Sequence, residues 1–509
     1  MLALLQFDAT SGGLIDRMLS EGRLPALAGL VARGTRTRLE RTSPLFVEAG
    51  SYVSLYSGVE TGDHGIYSAF LWDSAGQRIR FMDAFPAPLA TWDRLPPDRR
   101  TLAVDPYESW PPAPNDGLRL LNGWQFQHKL LLHISKPPGA QAAMSLRLGR
   151  PPVIEHLYGR QSASRLLSIR SKLLRAPDRA AAAYERLSAG EPLDLLWITF
   201  SAAHFAGHYY WNPSGATGNG ASKSERAELE GTLQEAYEAV DAAIGRVLRA
   251  LPPGADVIAF SPIGMGPETS RSDLLPGMLR AVLGGPGSSP ANGAEDEDET
   301  PGGLIWSLRA RMPMSWRLAL ARPLPRAAVR RLTSAMHLRG TDWARTRAFA
   351  LPGDHSGYVR LNMAGREREG IVDPADADAL MEEITAGLES FTDPDGRPSV
   401  ARVDRTASAV QGERVEHLPD LVVTWPDRPS LGLQGVSSTE FGDVRRPGVG
   451  TGRTGNHTPE GWAVIAPGDS GMRDLGRAPR LTDVSVTALE VLGGDSRGLA
   501  GASILKPDR

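Results

Sequence analysis

Apolar residues run from Leu2 to Phe7 with only Gln6 interrupting, and they stop at Asp8. This is the pattern of a strand buried on both faces whose C-terminal end carries a carboxylate. The loop Ala9-Thr-Ser-Gly-Gly13 then leads into a helix that spaces Leu14, Ile15, Met18 and Leu19 along one face. Pro25 opens a second helix, Ala26 to Ala32, closed by Gly34. Ser51 to Tyr56 is a short apolar run ahead of Ser57-Gly58. A buried strand is predicted over Leu195–Phe200, and the chain continues directly into His204-Phe-Ala-Gly-His208. If the segment turns helical there, two histidines four residues apart share one face. Such a pair at the C-terminal end of a strand is a recurrent way to build a metal site on an open α/β sheet. The plainer alternative is an aromatic-rich helix start carrying two ordinary surface histidines.

Farther on, Leu229, Leu233, Ala236, Val240, Ile244 and Val247 predict one long helix over Ser224–Leu251, followed by a buried strand at Asp256–Phe260. Asp420–Thr424 and Trp462–Ile465 read as strands and Val484–Leu492 as the last helix. Strands alternating with helices over this length predict an α/β protein: a three-layer α/β/α sandwich around a mostly parallel sheet, with an inserted cap. Residues 1–84 and 193–283 are read as core. Residues 85–192, with Pro96-Pro97 and Pro111-Pro112-Ala-Pro114, are read as a cap or insertion. Residues 284–303, Gly/Ser/Pro-rich and then acidic at Glu295–Glu299, are expected to be a disordered loop. Residues 304–345 read as a helical cap segment and 346–509 as the C-terminal part of the core. Leu304–Leu338 carries Trp306, Trp316 and many arginines. It suits either a cap helix packing its tryptophans inward or a face turned to a membrane or an anionic partner.

Composition narrows the partners. Among 509 residues, 56 Lys+Arg against 59 Asp+Glu leave a net charge of −3, which gives no global field for nucleic acid or membrane. Cysteine is absent, so disulfides, thiolate metal sites and a cysteine nucleophile are excluded. No apolar window is long enough to span a membrane, and Met1–Leu5 lacks the basic flank and length of a signal peptide. The expectation is a cytoplasmic chain acting on a small molecule, with no nucleic-acid partner. No dinucleotide fingerprint follows a strand, and no P-loop is present.

Seven segments carry a family likeness. They are Phe7-Asp8 with Glu21-Gly-Arg-Leu-Pro-Ala-Leu27 and Ala32-Arg-Gly34; Tyr52-Val-Ser-Leu-Tyr-Ser-Gly58 with Asp63-His64-Gly65-Ile66; Asp194 to Trp211; Ala259-Phe-Ser261-Pro-Ile-Gly264-Met-Gly266; Asp354 to Asn362 with Gly365-Arg366-Glu367 and Gly370-Ile-Val372; Gly455-Asn-His457-Thr-Pro-Glu-Gly461; and Leu481 to Gly493. In this order, and over nearly the whole chain, they resemble the type I phosphodiesterase/nucleotide pyrophosphatase family of the alkaline phosphatase superfamily. The resemblance implies that superfamily's fold and a site of two zinc ions roughly 4 Å apart clamping a phosphoryl group. It also implies an Asp-x3-His pair and a late histidine on one ion. The first-strand aspartate, a Ser/Thr nucleophile and an adjacent Asp-His pair would hold the other.

The departures carry the information. Asp8 stands where the first aspartate belongs. The nucleophile position, about ten residues before Gly58, holds Glu48, which accepts a phosphoryl group only as an acyl phosphate. Thr42, Ser43, Ser51 and Ser54 lie close enough for a shifted register. Pro262 and Ile263 replace the adjacent Asp-His pair, so the second ion loses two ligands as well as its nucleophile. At the first ion His204 replaces the aspartate, while His208 and His457 match the family's histidines. The expected metal set is His204, His208 and His457 with Glu48 and Asp8 as carboxylate neighbours, and Glu48 or Asp8 is the expected general base. One divalent transition metal is implied, zinc first and iron or manganese next, with copper also suited to three imidazoles and a glutamate. His64 is a supporting residue in the family, and His355 sits in the bacterial-branch segment. His128, His133, His156, His337 and His417 have no spacing argument, and Asp420 reads as a strand start.

Three functions follow. The first is a metal-dependent hydrolase of the phosphodiesterase class working with one ion rather than two. The second is a repurposed mononuclear metalloenzyme, its three histidines and Glu48 serving non-hydrolytic, redox-capable chemistry. The third is a catalytically silent relative that binds a partner through its cap.

Overall fold

In the computed structural model the chain divides into two compact units. One comprises residues 1–67, 86–267 and 452–509, the other residues 68–85 and 268–451. The structure describes all residues except 128–132, 155–158, 190–191, 218–220, 285–327, 329, 331–333, 335–337, 339, 448–450 and 507–509. The expected acidic loop at 284–303 apart from Gly284, most of the helical segment 304–345, and His128, His156 and His337 therefore fall outside the described residues.

The first unit is built on an eight-stranded sheet. Its order is Thr35–Leu39, Gly461–Ala466, Asp256–Ser261, Leu2–Phe7, Leu195–Phe200, Thr101–Val104, Leu118–Leu121 and Ser135–Lys136. The five strands from Asp256–Ser261 to Leu118–Leu121 are mutually parallel, whereas Gly461–Ala466 and Ser135–Lys136 run antiparallel to their inner neighbours. Side-chain alternation along Leu2–Phe7 divides the core into two layers. Ala3, Leu5 and Phe7 pack with residues of the helices Gly12–Ser20, Pro25–Ala32, Ala163–Leu187 and Thr232–Ala250. Leu2 and Leu4 pack on the opposite face with residues of Ala49–Ser57 and Leu481–Leu492. This is the expected α/β/α sandwich.

Of residues 85–192, expected as a cap, 86–192 fall within this unit. They supply three strands of the sheet and the helix Ala163–Leu187. The strands are four residues or fewer, too short to show a period, and the proline clusters that suggested an insertion lie in their connections. Residues 346–509 likewise divide, with 346–451 in the second unit and 452–509 in the first. The helix expected over Ser224–Leu251 is two helices, Lys223–Glu230 and Thr232–Ala250, separated at Gly231. Among the described residues, no helix is long and apolar enough to cross a membrane.

The second unit holds a four-stranded antiparallel sheet ordered Ala348–Leu351, Gly357–Leu361, Leu421–Thr424 and Arg402–Arg405. Helices Leu275–Gly284 and Ala377–Glu389 share its core. The Gly365-Arg366-Glu367 segment has a structural role in this unit. Buried Glu367 accepts from Arg360 Nε at 2.8 Å and from Trp72 Nε1 at 2.6 Å. Asp420 accepts from Arg366 through both oxygens and from the Leu361 amide. Removing one partner of such a pair leaves an uncompensated buried charge. Glu367→Ala should therefore lower unfolding stability by about 3–5 kcal/mol in urea denaturation, and a cost below about 1 kcal/mol would show that Arg360 finds another partner.

Candidate metal centre

Parallel strands deliver their C-terminal ends to one edge of the sheet. Phe7 pairs with Phe200, so Asp8 and Ser201 leave the sheet side by side. The chain turns at Ser201 into helix Ala202–Tyr210, and the i, i+4 spacing places His204 and His208 on one face of it, as the sequence predicts. His457 arrives on strand Gly455–Thr458, which pairs antiparallel with Gly264–Pro267 so that Met265 lies opposite His457. Two glycines allow the helix and this hairpin to close together. A Cβ on Gly207 would sit 2.4 Å from Met265 Cγ, and one on Gly455 would sit 2.3 Å from the Gly207 carbonyl oxygen.

Among the described residues, His204, His208 and His457 form the one group of three or more metal-ligating side chains. All three are buried. His204 Nε2 lies 2.9 Å from His208 Nε2 and 3.0 Å from His457 Nε2. The other ring nitrogens settle the tautomers. His208 Nδ1–H donates to the Gly455 carbonyl at 2.9 Å, and His204 Nδ1–H donates to Asp8 Oδ2 at 2.7 Å. In neutral rings the Nε2 atoms of His204 and His208 are then both lone pairs. They face each other at contact distance, and His457 Nε2 closes on His204 beside them, an arrangement that calls for a cation between them. The donor set thus fits a divalent metal, with the outer nitrogens held by a carboxylate and a carbonyl in the manner usual for ligating histidines. Burial, the charge of half-buried Arg453 and the two neighbouring imidazoles hold the His208 pKa well below its ordinary value, which keeps it available as a ligand.

Asp8, expected beside the metal, lies against the outer ring nitrogen of His204. Its carboxylate is wholly buried and both oxygens have donors, His204 Nδ1–H on Oδ2 and Tyr52 O–H on Oδ1 at 2.8 Å. Glu48 is buried immediately before helix Ala49–Ser57, where the helix dipole favours negative charge, but it stands outside the close ligand group. Ile263 is fully buried, bridges to Ala9 and packs in one cluster with Tyr52 and Met265. Apolar atoms occupy the position where the resemblance implies an Asp-His pair. The shifted-register hydroxyls are engaged in structure, Ser51 Oγ donating to the Phe46 carbonyl and Thr42 to Ser54. His64 Nδ1 accepts from the Ile66 amide at 3.0 Å, so its proton is on Nε2 and donates to Ser54 Oγ at 3.1 Å. In that tautomer His64 cannot take a proton from Ser54. His355 and His417 belong to the second unit.

Sequence reasoning missed Tyr52 and Tyr107. The Tyr107 ring meets His204 edge-on at 5.0 Å and Tyr52 at 5.2 Å between centroids. A small open cavity is bordered by Tyr107 and by Phe205, which stacks on His204 at 5.3 Å. Asp105, also on its wall, is pushed up to about 6 by burial, against donors from Trp124, Gln125 and Gly123.

Type I phosphodiesterase / nucleotide pyrophosphatase is the family whose model matches residues 2–430, and the chain belongs to that family. No curated protein sequence matches it significantly. The fold is shared with phosphonoacetate hydrolase from Sinorhizobium meliloti, solved with phosphonoacetate. The two agree with a TM-score of 0.50 at 14% identity, over 96% of this chain and 95% of that chain. Murine ectonucleotide pyrophosphatase/phosphodiesterase 5 gives a TM-score of 0.48 at 10% identity, over 99% of this chain and 100% of that chain.

Two outcomes follow. Gly207→Ala should destabilise the protein by about 1–3 kcal/mol in thermal or urea unfolding, because Met265 must move to admit the methyl group. Metal-free protein should also weaken on acidification. Unfolded His208 takes a proton near pH 6.5 while the folded side chain does not, so unfolding free energy falls as pH drops below about 6.5. Urea midpoints at about pH 7 and about pH 5.5 measure the loss, and His208→Gln should make it smaller.

Proposed function

We propose that this protein is a metal-dependent hydrolase of the phosphodiesterase class that works with one divalent ion, zinc first, on a small-molecule substrate. The observation that carries this reading is the convergence of His204, His208 and His457 Nε2 with the outer nitrogens of His204 and His208 already engaged. Three imidazoles and an open position are how catalytic zinc is held in several hydrolytic and hydrating enzymes. When bound, the ion supplies Lewis acidity toward a substrate oxygen and toward water.

The protein's own residues supply the rest. Asp8 and the Gly455 carbonyl fix two ring orientations, so the ligand set is organised before the ion arrives. Glu48 is the carboxylate we assign as general base, since both Asp8 oxygens have donors already. The small cavity beside Tyr107 and Phe205 lies one aromatic ring away from His204 and has room for water-sized groups. Ile263 and the Tyr52–Asp8 bond disfavour a second ion, which removes much of the charge stabilisation available to in-line phosphoryl transfer. Slow phosphodiesterase turnover, or another labile bond with an anionic transition state, suits the site better than fast two-ion chemistry.

Elemental analysis of protein purified without added metal tests this reading, with activity on an aryl phosphodiester measured alongside. The expected result is about one equivalent of metal per chain, absent from His204→Ala, and phosphodiester cleavage that Glu48→Gln abolishes without releasing the metal. Two equivalents with fast turnover would overturn the one-ion claim. One equivalent of iron, manganese or copper without hydrolysis would favour the redox-capable reading, and protein that binds no metal at all would favour the catalytically silent one.

A further inference from the structure

Tyr52 is wholly buried on helix Ala49–Ser57, and its hydroxyl points into a buried carboxylate that touches a histidine of the centre. The bonds form a chain: Tyr52 O–H to Asp8 Oδ1 at 2.8 Å, and His204 Nδ1–H to Asp8 Oδ2 at 2.7 Å. A buried carboxylate with one oxygen unsatisfied rotates or attracts water to recover a donor. Either response turns the plane that His204 leans on. Asp8 is further pinned through its backbone, its amide donating to the Phe200 carbonyl at 3.4 Å and its neighbour Ala9 bridging to Ile263. The remaining freedom of this side chain is therefore rotation, and the Tyr52 hydroxyl is the group that restricts it. Tyr107 packs against both ends of the chain, on the rings of Tyr52 and His204.

We propose that Tyr52 is a positioning residue of the metal centre, acting on His204 through Asp8. The role rests on the one-ion reading above. The carboxylate needs a neutral donor here because a second cation beside it would compete with the ion that the histidines hold. A tyrosine hydroxyl satisfies Oδ1 without adding charge.

Tyr56 provides a matched comparison. It lies four residues along the same helix, is equally buried and is packed on Trp92 and Trp197, but its hydroxyl donates to Gln6 instead of Asp8. A purely structural tyrosine and a positioning tyrosine can thus be separated.

The test is cobalt(II) binding to metal-free full-length protein, read both as affinity and as the visible ligand-field absorption of the bound ion. Tyr52→Phe should weaken cobalt binding by roughly tenfold or more and shift the absorption envelope, while thermal melting confirms that the variant is folded. Tyr56→Phe should leave both readouts within about twofold of wild type. If Tyr52→Phe does not fold, Asp8→Asn takes its place and should show the same loss. Wild-type affinity and spectrum in folded Tyr52→Phe, or in the Asp8→Asn substitute, would overturn the role, as would an equal loss in Tyr56→Phe. If the wild-type protein takes up no cobalt, the one-ion reading fails and this role fails with it. If it does, a null result in Tyr52→Phe sinks the positioning role alone.

Discussion

Two imidazole nitrogens cannot face each other at 2.9 Å as bare lone pairs without a cost in repulsion, and much of the first unit is arranged to make His204 and His208 do so. The constraint comes from the far side of each ring. The Gly455 carbonyl accepts only from an N–H, and the Asp8 carboxylate, when ionised, does the same. Both rings are thereby obliged to present Nε2 as an acceptor toward His457. A proton could bridge one pair, but burial, Arg453 and the neighbouring rings disfavour charge on His208. A metal ion answers all three nitrogens at once, and desolvation of the pocket strengthens each of those bonds.

The sheet makes this geometry rigid. Asp8 and the His204–His208 helix leave adjacent parallel strands, so their separation is fixed by interstrand spacing rather than by loop conformation. His457 comes from a hairpin hundreds of residues later, and its placement depends on how closely that hairpin approaches the helix. Gly207 and Gly455 set that distance, since a methyl group at either would meet Met265 or backbone. The three histidines sit on a helix and a strand, and the backbone carbonyl that orients His208 sits on the same strand as His457.

The site also shows how one substitution changes its neighbours. With a histidine at position 204 the nearby carboxylate is more useful as an acceptor for Nδ1–H than as a ligand. Once Asp8 is so used, its other oxygen needs a donor, which Tyr52 supplies, and Ile263 fills space beside them with apolar atoms. The second unit carries its own buried ion pairs, Arg360 with Glu367 and Arg271 with Asp393. The first of these, with the Arg366–Asp420 pair, engages the charged residues around Gly365 within that unit.

Local pattern determined a large part of this protein. Continuous apolar runs marked Leu2–Phe7, Leu195–Phe200 and Asp256–Phe260 as buried strands, because parallel strands covered on both faces need apolar residues throughout. The i, i+4 spacing marked His204 and His208 as partners before any fold was known, since helix geometry alone puts them together. Four-residue strands such as Thr101–Val104 were illegible, being shorter than any period that could announce them. Tyr52 was equally hidden, because its bond reaches 44 positions back along the chain to Asp8 and nothing local distinguishes it from Tyr56. Which groups meet the two Asp8 oxygens was likewise decided only by packing. The sequence supplied the carboxylate, and the direction in which its two oxygens found donors depended on which helix and which ring the tertiary structure laid against it.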